Sequence, residues 1–499
     1  MAQTTIEQPP APTRDVPSAG AARPELGAAV RRYPEAMVAL ALLAISTVIV
    51  LWADTRPGFD VYGWLVWGHQ TVAGSLNTNA APSWKPLPYL FTAPYALAGH
   101  YELWLWMITS VAIALSGLVF AARIAYRVTA HDPGTGGAQR IDRRRHRAAL
   151  AAGAFAALGL LGVQDYAHYV LSFQSDPMII ALCLGAIDCH LSGRPRWAYT
   201  LGVLASLGRP EVWLFLGLYT IWAWRAIPAM RWLIIAELLA MAALWFGIPA
   251  LSSRSPFVAG DNALGSGRAL HSDKVWGTID RFLDLHETPL ELLALVSGAI
   301  ALWRRDRVTL ALAAGTLAWV ITEVAFSLHG WAGLPRYMYG AGGVMVVIAG
   351  IGVGRLLSAD WLSLSAARSK LTGAAARYLG PALAAVAVIA LIPPAISDAR
   401  GEHRDLHVQR QRTHEINRLA GIVTRLGGPA RFHPCGEPLT RLEYQTIVAW
   451  TLHLNVATVG WKYGPAVHSH RPIVLFTPLV HGGWKIEALH QRLASCRRL

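Results

Sequence analysis

Asp60 and Lys85 are the first residues of this sequence whose type and position suggest chemistry. Asp60 lies shortly after the first apolar run, in the residues Gly-Phe-Asp-Val-Tyr-Gly-Trp at 58 to 64. Lys85 follows in Ser-Trp-Lys-Pro-Leu-Pro-Tyr at 83 to 89. A carboxylate at a membrane surface can take a proton from a substrate, and an ammonium group can bind an anion. The structural alternatives are a helix cap for Asp60 and an interfacial anchor for Lys85, and Asp54 is the competing acid.

Two arginine motifs stand at the ends of later apolar runs. Arg209 and Glu211 occur in Leu-Gly-Arg-Pro-Glu-Val-Trp at 207 to 213, where they either face the interior of the helix bundle or form a mutual salt bridge. Arg336 and Tyr337 occur in Gly-Leu-Pro-Arg-Tyr-Met-Tyr-Gly at 333 to 340. A guanidinium group there is suited to bidentate contact with phosphate, which is the interpretation we favour.

Asp165, His168 and Asp176 mark one more turn between apolar runs. Asp165 and His168 are candidates for binding polar substrate groups, although their spacing is weak support for a metal site. Asp176 precedes Pro177, and an Asp-Pro pair at the start of a helix is an ordinary N-cap. The sequence has no phosphate-binding Walker loop and no Gly-rich dinucleotide fingerprint.

The composition predicts a polytopic α-helical membrane protein. Of its 499 residues 54% are hydrophobic and 15% are charged, and the mean hydropathy is +0.36, which is too apolar for a soluble protein of this size. About eleven membrane-spanning helices are expected, several shorter than the roughly 20 residues of a straight crossing. The apolar runs are 35 to 53, 102 to 124, 148 to 163, 176 to 192, 197 to 208, 212 to 226, 232 to 251, 286 to 303, 308 to 326, 336 to 355 and 379 to 397.

Lys and Arg in the short loops predict the orientation of these helices. The basic segments 140 to 147, 304 to 307 and 355 to 377 fall on one side of an eleven-span arrangement, and that side is the cytoplasm. The Pro- and Ala-rich residues 1 to 34 share it as a disordered tail. Asp60, Lys85 and everything after 398 are then extracytoplasmic. The formal charge of +14 is explained by orientation and anionic lipid, so we do not expect nucleic acid as a partner.

Two regions outside the main apolar runs have patterns of their own. Residues 61 to 73 predict a helix lying in the membrane interface, and the proline-broken residues 84 to 98 predict a second short helix or a re-entrant segment. The domains are therefore a tail at 1 to 34, a transmembrane domain at 35 to 397, and a small extracytoplasmic α/β domain at 398 to 499. In the last, the pattern predicts amphipathic helix at 404 to 426, strand at 446 to 459 and 472 to 476, and helix at 483 to 495.

The four cysteines divide by compartment. Cys183 and Cys189 fall within one apolar run, on different faces of a helix, which suits packing. Cys435 and Cys496 lie in the segment expected outside the cytoplasm, where a disulfide is favoured by the oxidising environment.

Taken in order, these motifs resemble the GT-C class of polytopic glycosyltransferases, and among them the actinobacterial arabinosyl- and mannosyltransferases. The residues that carry the resemblance are the acid after the first apolar run (Asp60), the Lys-Pro segment at the end of the first outer loop (Lys85), the Arg-Pro-Glu between short runs (Arg209 to Glu211) and the Arg-Tyr that opens a late run (Arg336 and Tyr337). The resemblance covers residues 35 to 397 as an architecture.

The resemblance implies an inverting transfer of a sugar from a polyprenyl-phosphate donor to a cell-envelope glycan or glycolipid on the outer face of the membrane. Asp60 would be the general base, and Lys85, Arg336 and Arg209 would bind the donor phosphate. Tyr62, Trp64 and Trp84 would stack on sugar rings or lipid. The remaining substrate contacts would come from Asp165, His168, Glu211 and Tyr337. No cofactor is certain, and a divalent metal is left open.

Two other functions are compatible with the pattern. A transporter or flippase of a lipid-linked substrate would use intramembrane charges to line its pathway, but it is expected to have broken helices in symmetry-related halves. A non-catalytic scaffold whose tail binds a partner would leave Asp60, Lys85 and Arg336 without a role.

Overall fold

The computed structural model describes residues 34–131, 142–264, 267–358, 373–468, 470–479 and 482–496. Within them, six helices are long and apolar enough to cross a membrane, or seven if the bent pair Lys274–Leu283 and Thr288–Arg304 is one span. The predicted eleven spans are therefore not confirmed. The reason is length, because the runs from 176 to 226 form helices of 16, 12 and 14 residues, which are shorter than a straight crossing needs. The expected tail lies outside the described residues except for Pro34.

The membrane part is built from helices alone. They are α1 (Pro34–Ala53), α2 (Phe59–Val72), α3 (Pro86–Tyr95), α4 (Glu102–Ala130), α5 (Arg143–Leu161), α6 (Tyr166–Leu171), α7 (Asp176–Leu191), α8 (Pro195–Ser206), α9 (Trp213–Ala226), α10 (Arg231–Ala242), α11 (Ile248–Ser252), α12 (Val258–Leu264), α13 (Lys274–Leu283), α14 (Thr288–Arg304), α15 (Arg307–His329), α16 (Tyr339–Ser358) and α17 (Gly373–Ala390).

Helix α16 is the centre of this bundle. It is buried along nearly its whole length and packs against α4, α5, α7, α14, α15 and α17. Small residues make the close packing feasible: a Cβ atom added to Gly340 would lie 2.4 Å from the Trp319 ring on α15. The first turn of α16 is thereby held next to α15, at the place where the candidate arginine Arg336 enters the bundle.

The first outer loop folds into α2 and α3. The predicted interfacial helix at 61 to 73 exists as α2, but it is not a surface helix, since its residues are buried from Val61 to Gly68. The C-terminal part of the chain packs on it, so protein covers the face that the sequence assigned to the membrane interface. The proline-rich segment forms α3 and continues through a 3₁₀ turn, Ala96–Tyr101, into α4.

The C-terminal part begins without a linker, because residue 398 lies inside the 34-residue helix α18 (Ile392–Arg425). A three-stranded sheet follows in the order β1 (Glu437–Thr440), β2 (Ile473–Pro478) and β3 (Trp484–Leu489). β1 pairs with β2 in parallel and β2 with β3 antiparallel. Between β1 and β2 lie α19 (Gln445–Thr451) and α20 (Tyr463–His468).

Two of the predicted elements in this part are wrong and two match. The amphipathic pattern at 404 to 426 falls in α18 and the β-type residues 472 to 476 fall in β2. The expected strand at 446 to 459 begins as α19, whose apolar side chains are buried against α2. The expected helix at 483 to 495 is β3, because pairing with β2 overrides a short local pattern. A disulfide joins Cys435 to Cys496, with their Cα atoms 5.4 Å apart.

Side chains fasten the C-terminal part to the outer end of the membrane part. The Thr446 hydroxyl donates to the Phe59 carbonyl at 2.7 Å, and the Tyr62 and Trp450 rings lie 6.1 Å apart. The Arg410 guanidinium on α18 donates to the backbone carbonyls of Trp52 and Ala53 at the end of α1. The C-terminal part therefore covers the start of α2, from which Asp60 projects.

Candidate active site

Proline sets the backbone wherever the candidate cations occur. Lys85 and Arg209 each precede a proline that starts a helical turn, and both are extended, with φ/ψ of −138°/113° and −147°/125°. The clash with the proline ring disfavours the helical region for the preceding residue, so Lys85 and Arg209 stay outside the helical turns that follow them. Arg336 follows Pro335 in the 3₁₀ turn Pro335–Met338, and Asp176 precedes Pro177 at the start of α7. Such irregular backbone at membrane depth is tolerated only where protein or a polar cavity surrounds it.

These helix starts converge on one point. The Leu87 amide donates to the Leu207 carbonyl at 3.0 Å, which ties the segment of Lys85 to that of Arg209. The Arg209 guanidinium pairs with the Asp176 carboxylate and lies 4.0 Å from the centre of the Tyr337 ring. Arg336 Nη1 lies 3.7 Å from Asp60 Oδ2. The fold thus brings Asp60, Lys85, Arg209 and Arg336 together, although they are far apart in sequence.

The cluster formed by Asp60, Lys85, Asp176, Arg209 and Arg336, here called the outer charge cluster, has more cations than anions. Its cations also keep unused donors. Lys85 Nζ, Arg209 Nε and Arg336 Nε are buried and have no hydrogen-bond partner among the described residues. Buried charged donors without partners are costly, and in native proteins they usually have an acceptor that the protein itself does not supply. The cluster is therefore preorganised for an anion.

The ammonium group of Lys85 is held by its surroundings. It lies 5.7 Å from the centre of the Trp64 ring, which offers a cation–π contact. Lys85 precedes the span that starts at Pro86, and burial lowers its pKa to about 8, against the opposing effect of Asp176. A bound phosphate would favour the charged form and oppose this decrease.

The aromatic residues predicted to contact substrate are part of the protein core. Tyr62, Trp64 and Trp84 are each at most 1% exposed, so none presents a free ring face to a sugar. The Trp84 indole donates to the Leu244 carbonyl at 3.0 Å, and the Trp64 ring packs edge-on against Trp106. Their contribution is to support α2 and Lys85. Trp84 packs against Trp67 and Tyr89, and Tyr62 packs against Trp450 of the C-terminal part. Stacking of these rings on substrate stays a prediction.

Glu211 and Tyr337 lie beside the outer charge cluster. Tyr337 contributes its ring to Arg209. Glu211 does not form the mutual salt bridge considered for it, since Arg209 pairs with Asp176. Instead Glu211 is fully buried next to Glu323 of α15, and burial raises the pKa of Glu211. The carboxyl oxygens of both residues have no other partner among the described residues.

Asp165, His168 and Asp54 are separate from these cations. His168 Nδ1 lies 2.8 Å from Asp405 Oδ2 on α18, so its polar contact is with the protein. Asp165 and Asp54 are exposed residues in left-handed backbone positions, with φ of 58° and 48°. Neither carboxylate has an ion pair with Lys85, Arg209 or Arg336 in the described structure.

An apolar cavity adjoins the outer charge cluster. Its volume is about 620 Å³, and its walls come from α7, α8, α9, α15 and α16. Trp319 and Gly340 line one end, and the Trp319 indole donates to the Tyr337 carbonyl at 3.1 Å. His190 and Arg307 line the other end. The cavity is large and apolar enough for part of a hydrocarbon chain, and Trp319 links its lining to Tyr337, on whose ring Arg209 lies.

No group of three or more His, Cys, Asp or Glu residues that could hold a metal ion occurs in the described part of the chain. Two members of the site escaped sequence reasoning. The sequence pattern assigns Asp176 only as a helix cap, although an acid at the start of an apolar run needs a partner as much as Arg209 does. Glu323 is an acid inside an apolar run, and this signal alone marks a candidate functional residue.

The fold is similar to solved structures of ArnT from Cupriavidus metallidurans. The structure bound to undecaprenyl phosphate superimposes with a TM-score of 0.51 at 14% sequence identity, over 89% of this chain and 93% of that chain. The apo structure gives a TM-score of 0.50 at 14% identity, over 88% and 92%. No family model matches the sequence, and no curated protein matches it. At this identity the likeness shows the fold, and it does not bear on an arabinosyl- or mannosyltransferase subtype.

Proposed function

We propose that the protein is a membrane glycosyltransferase that takes a sugar from a polyprenyl-phosphate donor and transfers it, with inversion, to a glycan or glycolipid acceptor outside the cytoplasm. The observation that carries the proposal is the outer charge cluster, in which three buried cationic donors have no hydrogen-bond partner among the described residues and one of their guanidinium groups, that of Arg336, lies 3.7 Å from the Asp60 carboxylate. The ArnT fold supports it, since one of those structures contains undecaprenyl phosphate. The scaffold alternative does not account for this convergence.

Lys85 and Arg336 would bind the phosphate of the donor. The Lys85 ammonium group has no hydrogen-bond partner among the described residues, and the Arg336 guanidinium, 3.7 Å from Asp60, leaves its Nε unused there. Arg209 is already paired with Asp176, so its main effect is to hold positive charge nearby. Hydrogen bonds to an ionised group are about twice as strong as neutral ones. The phosphate would therefore replace the missing acceptors.

Asp60 would act as general base. The acceptor hydroxyl oxygen attacks the anomeric carbon, and Asp60 takes the hydroxyl proton as the new bond forms. The bond between the anomeric carbon and the phosphate oxygen breaks, and its electron pair leaves with the polyprenyl phosphate. Lys85 and Arg336 stabilise the growing phosphate charge in a site largely shielded from water. A phosphate leaving group needs no protonation, so the step needs no second carboxylate as a general acid.

The apolar cavity of about 620 Å³ would receive the part of the polyprenyl chain next to the phosphate. Its end at Trp319 and Gly340 adjoins Tyr337, over which Arg209 lies. Removing apolar surface from water contributes about 25 cal/mol of binding free energy per Å². The chain would therefore increase the affinity, and the cations would fix where the phosphate binds.

The donor site is tested by binding of undecaprenyl phosphate to the full-length protein in nanodiscs. Lys85→Ala and Arg336→Ala are expected to weaken the affinity tenfold or more, because each removes a charge-assisted hydrogen bond of about 1.5 to 3 kcal/mol. Arg404→Gln is the matched control, since Arg404 is an exposed arginine of α18. Unchanged affinity in both site variants would remove the phosphate site from the proposal.

The proposed orientation has the N-terminal tail, 1 to 34, in the cytoplasm, the transmembrane domain at 35 to 397, and the domain at 398 to 499 outside. The disulfide between Cys435 and Cys496 provides the test. In a variant that carries Cys183→Ser and Cys189→Ser, a membrane-impermeant thiol reagent added to intact cells should label Cys435 and Cys496 only after reduction. Labelling without reductant, or only after lysis, would contradict the bridge or the orientation.

A further inference from the structure

Two arginines outside the outer charge cluster lie beside the segment that leads into α2. The Arg56 guanidinium is 5.1 Å from the centre of the Trp104 ring. Arg412 of α18 places Nη1 4.0 Å from the position that a Cβ atom would occupy on Gly58. The Arg56 amide donates to the Thr413 hydroxyl at 2.8 Å, which joins the two segments. Both arginines therefore adjoin the N-terminal end of the helix that carries Asp60.

The two guanidinium groups act on the same neighbour. Burial raises the pKa of Tyr62 to about 12, and Arg56 and Arg412 are the charges that oppose this rise. In the described residues neither side chain has a carboxylate within ion-pair distance. The nearest acid along α18, Glu415, accepts a hydrogen bond from Tyr444 at 2.5 Å. Arg410 differs, because its guanidinium donates to two backbone carbonyls.

The side chains of the segment 172 to 175, which lies beside Gly58, carry unused polar atoms. The Gly58 amide donates to the Ser172 carbonyl at 3.2 Å. Gln174 Nε2 lies 2.6 Å from the same Gly58 Cβ position that Arg412 approaches. Ser172 Oγ, Gln174 Oε1 and Ser175 Oγ are buried without partners among the described residues, and Gln174 is only 8% exposed. Two half-buried cations and a buried amide, whose oxygen has no partner within the described structure, thus lie near the start of the helix that carries Asp60.

We propose that Arg56 and Arg412 bind an oxyanion carried by the acceptor, such as a phosphate or carboxylate close to the hydroxyl group that is glycosylated, with Gln174 contacting the same molecule. This inference rests on the proposed function, since it places the acceptor on the Asp60 carboxylate. Two planar guanidinium groups present paired donors that fit an oxyanion better than a neutral hydroxyl. The protein would accordingly prefer an anionic glycan or glycolipid over a neutral one.

The test uses the full-length protein in phosphatidylcholine nanodiscs with undecaprenyl phosphate present at saturation, so that the donor site is occupied. Glucose 6-phosphate, glucuronate and glucose are then titrated calorimetrically. The phosphorylated sugar or the sugar acid should bind at least tenfold more tightly than glucose. Arg56→Gln and Arg412→Gln should each lower the affinity for the sugar anion about tenfold. Arg412→Lys should lower it less, and Arg404→Gln should leave it unchanged.

Three outcomes would overturn the inference. Equal or absent binding of the three sugars would exclude an oxyanion site, and so would arginine variants that stay folded and bind like the wild type. If phosphatidylglycerol in the nanodisc displaces the sugar phosphate in an arginine-dependent manner, the site belongs to a membrane lipid. Undecaprenyl phosphate affinity, measured separately, shows whether the donor site itself has failed: its loss while the sugar anion still binds would contradict the proposed function alone.

Discussion

An arginine lies close to an aspartate at each end of α16. The two pairs differ in how many of their polar atoms have hydrogen-bond partners. Near its C-terminal end, Arg355 donates to Asp306, to the Thr309 hydroxyl and to the Ser297 carbonyl. Asp306 also accepts from the amides of Val308 and Thr309, as the N-cap of α15. Just before its N-terminal end, Arg336 is 3.7 Å from Asp60 and leaves Nε without a partner.

This difference separates a structural charge pair from a binding site. A buried pair persists when each donor and acceptor has a partner, as at Arg355 and Asp306. In the outer charge cluster, Lys85 has no hydrogen-bond partner within the described part of the chain, and the cations outnumber the carboxylates. Ion pairing alone would therefore not distinguish the two ends of the helix, whereas the count of unused donors does.

The largest expected effect is on catalysis by Asp60. Asp60→Asn keeps the shape of the side chain but cannot take the acceptor proton, so kcat for transfer from a lipid-linked donor should fall by about 10² to 10⁴. Affinity for undecaprenyl phosphate should remain or increase, because a negative charge near the phosphate has been removed. The measurement combines a sugar-transfer assay with undecaprenyl phosphate binding.

Asp54→Asn is the control for this variant. Asp54 is exposed at the end of α1 and has no ion pair with the cations, so the transfer rate should stay close to that of the wild type. A dead Asp54 variant beside an active Asp60 variant would show that the wrong acid was chosen. Normal transfer by both variants would remove the main support for a glycosyltransferase.

The next largest effect should be on stability at the other end of α16. Arg355→Ala leaves the buried Asp306 without its charged partner, and breaking a buried pair from one side costs about 3 to 5 kcal/mol. Lys85→Met, in contrast, removes an unpaired buried cation and should leave the stability unchanged or higher. Thermal unfolding in detergent compares the two variants. A loss on Lys85→Met as large as that on Arg355→Ala would mean that the outer charge cluster is structural too.

A smaller effect is expected from pH. Burial lowers the pKa of Lys85 to about 8, so the ammonium form that binds phosphate is present below this pH and is lost as the pH rises through it. Affinity for undecaprenyl phosphate should therefore fall by about tenfold between pH 7.5 and 9.5. Lys85→Arg provides the comparison, because a guanidinium group stays charged throughout this range. Equal pH profiles for both proteins would mean that Lys85 does not titrate in the site.

Local pattern was enough to locate most of the helices and the charged residues that the fold brings together. Most of each apolar run is helical, because the backbone polar groups of an apolar segment in a membrane must be paired within the protein. The sequence also singled out four charged residues beside prolines and aromatic residues: Asp60, Lys85, Arg209 and Arg336. Burying a charge near the membrane interior costs free energy, so such a residue is expected to have a partner or a function. Cys435 and Cys496 were paired from their expected compartment, and the structure joins them.

Only the tertiary structure decided how these residues are used. Sequence assigned α2 to the membrane surface and its aromatic residues to the substrate, but the C-terminal part covers them, and burial depends on what packs from elsewhere in the chain. Pairing with β2 made a strand of residues expected to be helical. The partner of Arg209 is Asp176 and not the adjacent Glu211. Which charges are neutralised and which remain free is a matter of distances between segments remote in sequence, and electrostatic energy depends on those distances and not on order along the chain.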